Sequence, residues 1–116
     1  MDPAFPIERQ LGIDASPVVL VNVFTLDPVD EAAMLETWKK DAEYMKAQPG
    51  FISTQLHRAI GNSSMYLNYA VWESNAVFRA AFTNPAFRAQ LSAYPDSVAA
   101  TPHLFRKVAV PGICVA

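Results

Sequence analysis

The chain has 116 residues, 52% of them hydrophobic and 17% charged, with a formal net charge of −2. That length holds one domain, and charges of both signs scattered along it leave no basic stripe for a nucleic-acid backbone. Apolar runs of roughly ten residues are too short to span a bilayer, so neither nucleic acid nor membrane is an expected partner. A small domain this apolar exposes much of its surface, which points to a second subunit covering part of it and to a homodimer. Cys114 is the single cysteine; no intrachain disulfide can form, and no metal site is expected. The early prolines and mixed charges of the first nine residues do not make a signal peptide, so a cytoplasmic location is the expectation.

Residues 1–16, with two prolines and no clean period, read as an extended N-terminal arm. Pro17 to Leu26 is rich in β-branched and aromatic residues and apolar on both faces, the pattern of a central strand covered twice. Asp27 then serves as N-cap and Pro28 as first residue of a helix, with acidic Asp30 and Glu31 in the first turn, where they suit the helix dipole. Leu35, Trp38, Ala42 and Met45 recur at spacings of three and four and predict one apolar stripe, ending near Ala47. Pro49-Gly50 turns the chain into a second strand, Phe51 to Arg58, and the Gly61-Asn62-Ser63-Ser64 cluster leads by a hairpin to a third, Met65 to Glu73.

Ser74 is a candidate N-cap for a second helical region, which Asn84-Pro85 breaks into two pieces; Phe78, Phe82, Phe87 and Leu91 supply its apolar side. A proline-bounded loop is predicted over Tyr94–Pro102, a fourth strand over His103–Val110, with His103 exposed, and a tail over 111–116. The order βαββαβ specifies an α+β, ferredoxin-like fold over residues 17–110, with one antiparallel sheet and both helices on one face. Valines on both sides of the first strand argue that the second face is covered too, as in a dimeric α/β barrel.

Three stretches carry a family resemblance: Gln48 to Ser53 (QPGFIS), Leu56-His57-Arg58, and above all Asn68 to Ser74 (NYAVWES). Together they resemble the antibiotic-biosynthesis monooxygenase family over about Pro17 to Val110, nearest to its anthrone and quinol monooxygenase branch. The resemblance implies the same dimeric barrel and a homodimer. It also implies a cofactor-independent monooxygenase that oxidises a polycyclic or quinol-type phenol to a quinone with dioxygen. In the anthrone-oxidising members an Asn and a Trp four residues apart on the third strand face the pocket, matched here by Asn68 and Trp72; an Arg of the second helix aligns with Arg88. A pocket Tyr of those enzymes falls on Phe78, which has no hydroxyl, and Tyr94, Tyr66 or Tyr69 could stand in. The haem-degrading branch needs an Asn on the first strand, matched by Asn22, and an axial His where this chain has Leu91, which cannot ligate iron.

The residues themselves support that chemistry in outline. Alternation on a strand puts Tyr66, Asn68, Ala70 and Trp72 on one face. An amide such as Asn68 and the indole N–H of Trp72 can donate to an enolate-like oxygen, and Arg88 can stabilise negative charge. Phe24, Trp38, Phe51, Phe78 and Phe82 are candidate walls for a planar ring. Asn22 stands out as a polar residue inside an apolar run, and His57, near neutrality by its ordinary pKa, is a candidate substrate contact. Each has a plainer alternative: Trp72 and Trp38 as core, Arg88 in a surface ion pair, His57 as a hydrogen-bonded structural histidine. No Ser–His–acid spacing, glycine-rich phosphate loop or metal-ligand cluster is apparent, which fits cofactor-free oxidation and a non-catalytic barrel binding a small apolar ligand equally well.

Overall fold

The computed structural model describes residues 1–116. In chain order it contains α1 (Ile7–Gln10), β1 (Val18–Thr25), α2 (Glu31–Lys46, entered through a 3-10 turn at Pro28–Asp30), β2 (Phe51–Arg58), β3 (Tyr66–Trp72), α3 (Asn75–Phe82), α4 (Pro85–Gln90), a 3-10 turn at Leu91–Ala93, and β4 (Ala99–Phe105). All strand pairs are antiparallel, in the order β2-β3-β1-β4. β1 and β3 occupy the centre and the two helical connections cross on one face: this is the ferredoxin-like α+β arrangement. No helix is long and apolar enough to cross a membrane.

Local chemistry fixes the element boundaries. Asp27 accepts a hydrogen bond from the Val29 N–H at 3.1 Å, Ser74 from Val77 at 3.3 Å and Asn84 from Ala86 at 2.8 Å, so the 3-10 turn leading into α2, and α3 and α4, each start on a side-chain cap. Gly50, at φ +83°, makes the turn into β2, and a Cβ there would collide with the Val77 side chain. Only glycine fits that position on both counts.

Four expectations are corrected. The N-terminal arm is not simply extended: α1 buries Ile7 in the main core, and the Gln10 carboxamide hydrogen-bonds both the N–H and the C=O of Leu104 at 2.9 Å. That side chain acts as a surrogate strand on the exposed edge of β4. β4 itself begins at Ala99, not His103, and ends at Phe105, because an edge strand tolerates Pro102, which lies opposite Asn22. His103 is buried, not exposed, on the sheet face away from the helices, its ring edge-on to Phe105. On α2 the most deeply packed position is Met34, fully buried, whereas Leu35 is 39% exposed; the buried stripe is rotated by one residue from the predicted one.

The core on the helical face lies in two clusters. One gathers Val18, Leu20, Ala70, Trp72, Phe78, Ala81, Leu104 and Ile7; the other Phe24, Met34 and Tyr66. Along β1 and β3 the positions between the clusters are Asn22 and Asn68, which are direct cross-strand partners. The core parts where the sequence places two amides.

Candidate active site

At that parting the sheet, α2, α3, α4 and the segment leading to β4 enclose a cavity of about 260 Å³. Fifteen of its twenty lining residues are apolar, so charges inside are poorly screened and each polar group there acts at low dielectric. The polar side chains on its wall are Asn22, Asp41, Thr54, Asn68 and Tyr94.

The pleat of β3 delivers the central pair. Asn68 and Trp72 both line the cavity, while Tyr69 points to the opposite face and is 42% exposed. Trp72 is 1% exposed, held edge-on between Phe51 (ring centroids 5.4 Å apart) and Phe78 (5.6 Å). Such packing locks the indole against the wall. The Thr54 hydroxyl on β2 donates to Asn68 Oδ1 at 2.5 Å. This orients the amide so that its N–H groups, which have no protein acceptor, are the donors left for a ligand. Asn22 Oδ1, one strand over, is buried without a donor.

Phe24, Trp38, Phe51, Phe78 and Phe82 also line the cavity. Phe78 stacks on Phe82 (5.2 Å), and Phe24 stacks on Tyr94 (6.2 Å). The other three candidates lie elsewhere. Arg88 is exposed on α4, its guanidinium 5.3 Å from the centroid of the Phe82 ring, and it does not line the cavity. His57 is exposed on the far face of β2, with Nδ1 3.4 Å from the Leu67 carbonyl. Tyr66 shares the face of Asn68 but belongs to the second core cluster, its hydroxyl donating to Glu31 at 3.3 Å. No group of three or more His, Cys, Asp or Glu side chains comes together anywhere in the chain.

Asp41 is a site residue that composition and motifs did not reveal. It sits on α2 one turn after Trp38, is 6% exposed, and lines the cavity. Its Oδ2 accepts a hydrogen bond from the Tyr94 hydroxyl at 2.7 Å, and its Oδ1 is buried without a partner. The signal was present in the helix period: positions 38, 41, 42 and 45 share one face, and a carboxylate in the middle of an apolar stripe needs a reason. Burial pushes the Asp41 carboxyl above its ordinary value and the Tyr94 hydrogen bond only partly offsets that. Burial and the neighbouring carboxylate also push the Tyr94 hydroxyl up, so it stays protonated and donates.

This has a consequence for stability. A carboxyl whose folded pKa lies above its unfolded value contributes stability below the unfolded pKa, and that contribution is lost as pH rises through the folded pKa. Asp41→Asn, which has no charge to bury, is therefore expected to melt at a higher temperature than the wild type at pH 8, with the gap closing towards pH 4. Thermal melts across that range check it; a gap independent of pH contradicts it.

Residues 17–108 match the family model described as antibiotic biosynthesis monooxygenase. Deoxynogalonate monooxygenase of Streptomyces nogalater is 34% identical over 76 residues, spanning 66% of this chain and 64% of that protein, which is just under two thirds of its length. The solved structure of SnoaB, a cofactor-independent oxygenase from Streptomyces nogalater, superposes with a TM-score of 0.75 at 28% identity, covering 84% of this chain and 99% of that one. A solved Shewanella loihica structure, 32% identical, superposes with a TM-score of 0.70 over 85% of this chain and 100% of its own.

Proposed function

This chain belongs to the antibiotic biosynthesis monooxygenase family, and we propose that it is a cofactor-independent monooxygenase that converts a planar, electron-rich phenol of the anthrone or quinol type to a quinone with dioxygen. The observation that carries this is the placement of Asn68 and Trp72 on the wall of one apolar cavity. Support comes from its similarity to a deoxynogalonate monooxygenase and to the structure of a cofactor-independent oxygenase, both of Streptomyces nogalater. The cavity, at about 260 Å³, lies just below the roughly 300–1,000 Å³ of most ligand pockets. It suits two or three fused rings with few substituents, sandwiched by Phe78, Phe82, Phe24 and Trp38.

The reaction needs little from the protein beyond a dry, preorganised site. An anthrone methylene loses a proton to give an enolate, which passes one electron to dioxygen. The resulting radical and superoxide combine to a C–O bonded peroxide. Protonation, loss of the second C–H proton and cleavage of the O–O bond give the quinone carbonyl and one water, so one oxygen atom enters the product and the other leaves as water. The Asn68 amide and the Trp72 indole N–H stabilise the enolate oxygen as its charge develops, in a medium where that hydrogen bond is strong. The apolar walls keep water from quenching the carbanion. The test is oxygen uptake with 1,8-dihydroxyanthrone in flavin-free, chelator-treated protein: uptake and quinone appearance are expected in equal amounts, and protein that leaves the uncatalysed rate unchanged across a panel of anthrones and quinols overturns the proposal.

The homodimer is part of the same reading. Val19, Val21 and Val23 of β1 alternate with the cavity residues and sit beside Leu67, Tyr69 and Val71 of β3 on the face opposite the helices. A second copy laid on that face would complete a barrel and remove this apolar surface from water. Sedimentation is expected to give a dimer at micromolar concentration, and Val21→Glu to give a monomer; a wild type that runs as a monomer contradicts it.

A further inference from the structure

We propose that Asp41 is the proton acceptor and donor of the reaction, with Tyr94 as the residue that positions its carboxylate. The assignment rests on the monooxygenase reading above and supplies the acid–base group that Phe78, lacking a hydroxyl, cannot provide.

The geometry singles out this pair. Among the twenty residues of the cavity wall, Asp41 and Tyr94 are the only titratable ones. The carboxylate is bonded on one oxygen and bare on the other: the Tyr94 O–H holds Oδ2 at 2.7 Å, and Oδ1 has no protein partner although the residue is 94% buried by its 6% exposure. A buried carboxylate oxygen left without a protein donor is costly unless another group fills that place. A substrate C–H or O–H entering the cavity is the group it can serve.

The surroundings are neutral on every side. β1 contributes Asn22, β3 Asn68, and β4 Ala100 and Pro102, all uncharged. On α2 itself the next turn brings Tyr44, whose buried hydroxyl is unpartnered and whose ring stacks on Phe87 of α4. Lys40, the chain neighbour of Asp41, is exposed, and Arg88 of α4 lies over the Phe82 ring. No Lys, Arg or His reaches the wall to hold Asp41 at its ordinary acidity, and burial raises its pKa towards the range in which a carboxylate works as a general base. Tyr94, still protonated, does not take the proton.

The proton inventory closes on this one group. Oδ1 takes the first proton from the substrate methylene and returns it to the distal oxygen of the peroxide. The regenerated carboxylate then takes the second C–H proton as the O–O bond breaks and the carbonyl forms, and passes it to the departing hydroxide as water. The carboxylate ends ionised, as it began.

The experiment compares wild type, Asp41→Asn and Tyr94→Phe in steady-state oxidation of 1,8-dihydroxyanthrone from pH 4.5 to 9, with thermal melts of each protein. In the wild type, kcat/KM falls on the acid side with an apparent pKa above that of an ordinary Asp. Asp41→Asn, nearly isosteric, loses about 10²–10⁴-fold in kcat/KM and loses the acid limb. Tyr94→Phe lowers kcat/KM by less than Asp41→Asn does and shifts that limb to higher pH, because the hydrogen bond favouring the ionised carboxylate is gone; an unshifted limb overturns its positioning role. A folded Asp41→Asn protein within threefold of wild type, or with the same acid limb, overturns the assignment. If the wild type itself oxidises no anthrone or quinol, the monooxygenase reading fails by itself, and Asp41 is judged by equilibrium binding of 1,8-dihydroxyanthraquinone. A pH-dependent visible band in the wild-type complex that is absent in Asp41→Asn sustains Asp41 as the group facing a phenolic ligand; identical titrations in the two proteins overturn it.

Discussion

Asn68→Ala is expected to lower kcat/KM for anthrone oxidation by about 10²–10³-fold, the usual effect of removing one preorganised oxyanion donor. Three features of the site argue for so large a loss. The amide is fixed in advance by the Thr54 hydroxyl at 2.5 Å, so no reorganisation accompanies the charge as it forms. The surrounding wall is mostly apolar, which keeps solvent from substituting for the missing donor. The side chain is only half-buried and has no hydrogen bond beyond Thr54, so its loss leaves the fold intact, and circular dichroism of the variant should match the wild type. Trp72→Phe is expected to cost less, about tenfold, since it removes one N–H but keeps an aromatic ring in the slot between Phe51 and Phe78. Steady-state kinetics decide: a kcat/KM for Asn68→Ala within threefold of wild type means that the amide does not stabilise the reacting oxygen.

The second large effect is on stability. Asn75 begins α3, is 2% exposed, and donates from Nδ2 to the carbonyls of Gln10 at 2.8 Å, Ile13 at 2.7 Å and Leu11 at 3.4 Å. Its backbone N–H adds a bond to the Ala15 carbonyl at 2.8 Å. One side chain therefore gathers the carbonyls of the N-terminal arm where it turns into β1. Asn75→Ala removes the shared donor of these carbonyls and leaves a hole at a 2% exposed position, and is expected to cost about 2–4 kcal/mol of unfolding free energy. Release of the arm would also expose Ile7 and the edge of β4 that Gln10 covers. Urea denaturation measures the first effect and the rate of tryptic cleavage at Arg9 the second; unchanged values in both would show that the clamp contributes nothing.

Much of this architecture could be read from the chain because local and global signals agree. The β-branched run of β1, the Pro49-Gly50 turn and the side-chain caps at Asp27, Ser74 and Asn84 each specify one structure, and together they specify the βαββαβ order. The alternation of a strand alone puts Asn68 and Trp72 on one face. What escaped was set by tertiary context. Pro102 reads as a loop residue until β4 is known to be an edge strand. Ile7 looks like part of a loose arm because its burial depends on Asn75, more than sixty residues away. Asp41 is hidden among the charges of α2, since a polar residue on a helix reads as solvated unless its phase against the apolar stripe is followed. Arg88, matched by alignment, is carried to the surface by the short α4, and that placement depends on how the helix packs.

The most direct test of the central claim is a single turnover of 1,8-dihydroxyanthrone under ¹⁸O₂ with flavin-free, chelator-treated protein. The expected result is one ¹⁸O atom in the new quinone carbonyl and the other in water, formed at a rate that Asn68→Ala depresses. Quinone carrying oxygen from solvent, or formed no faster than in the absence of protein, would contradict it.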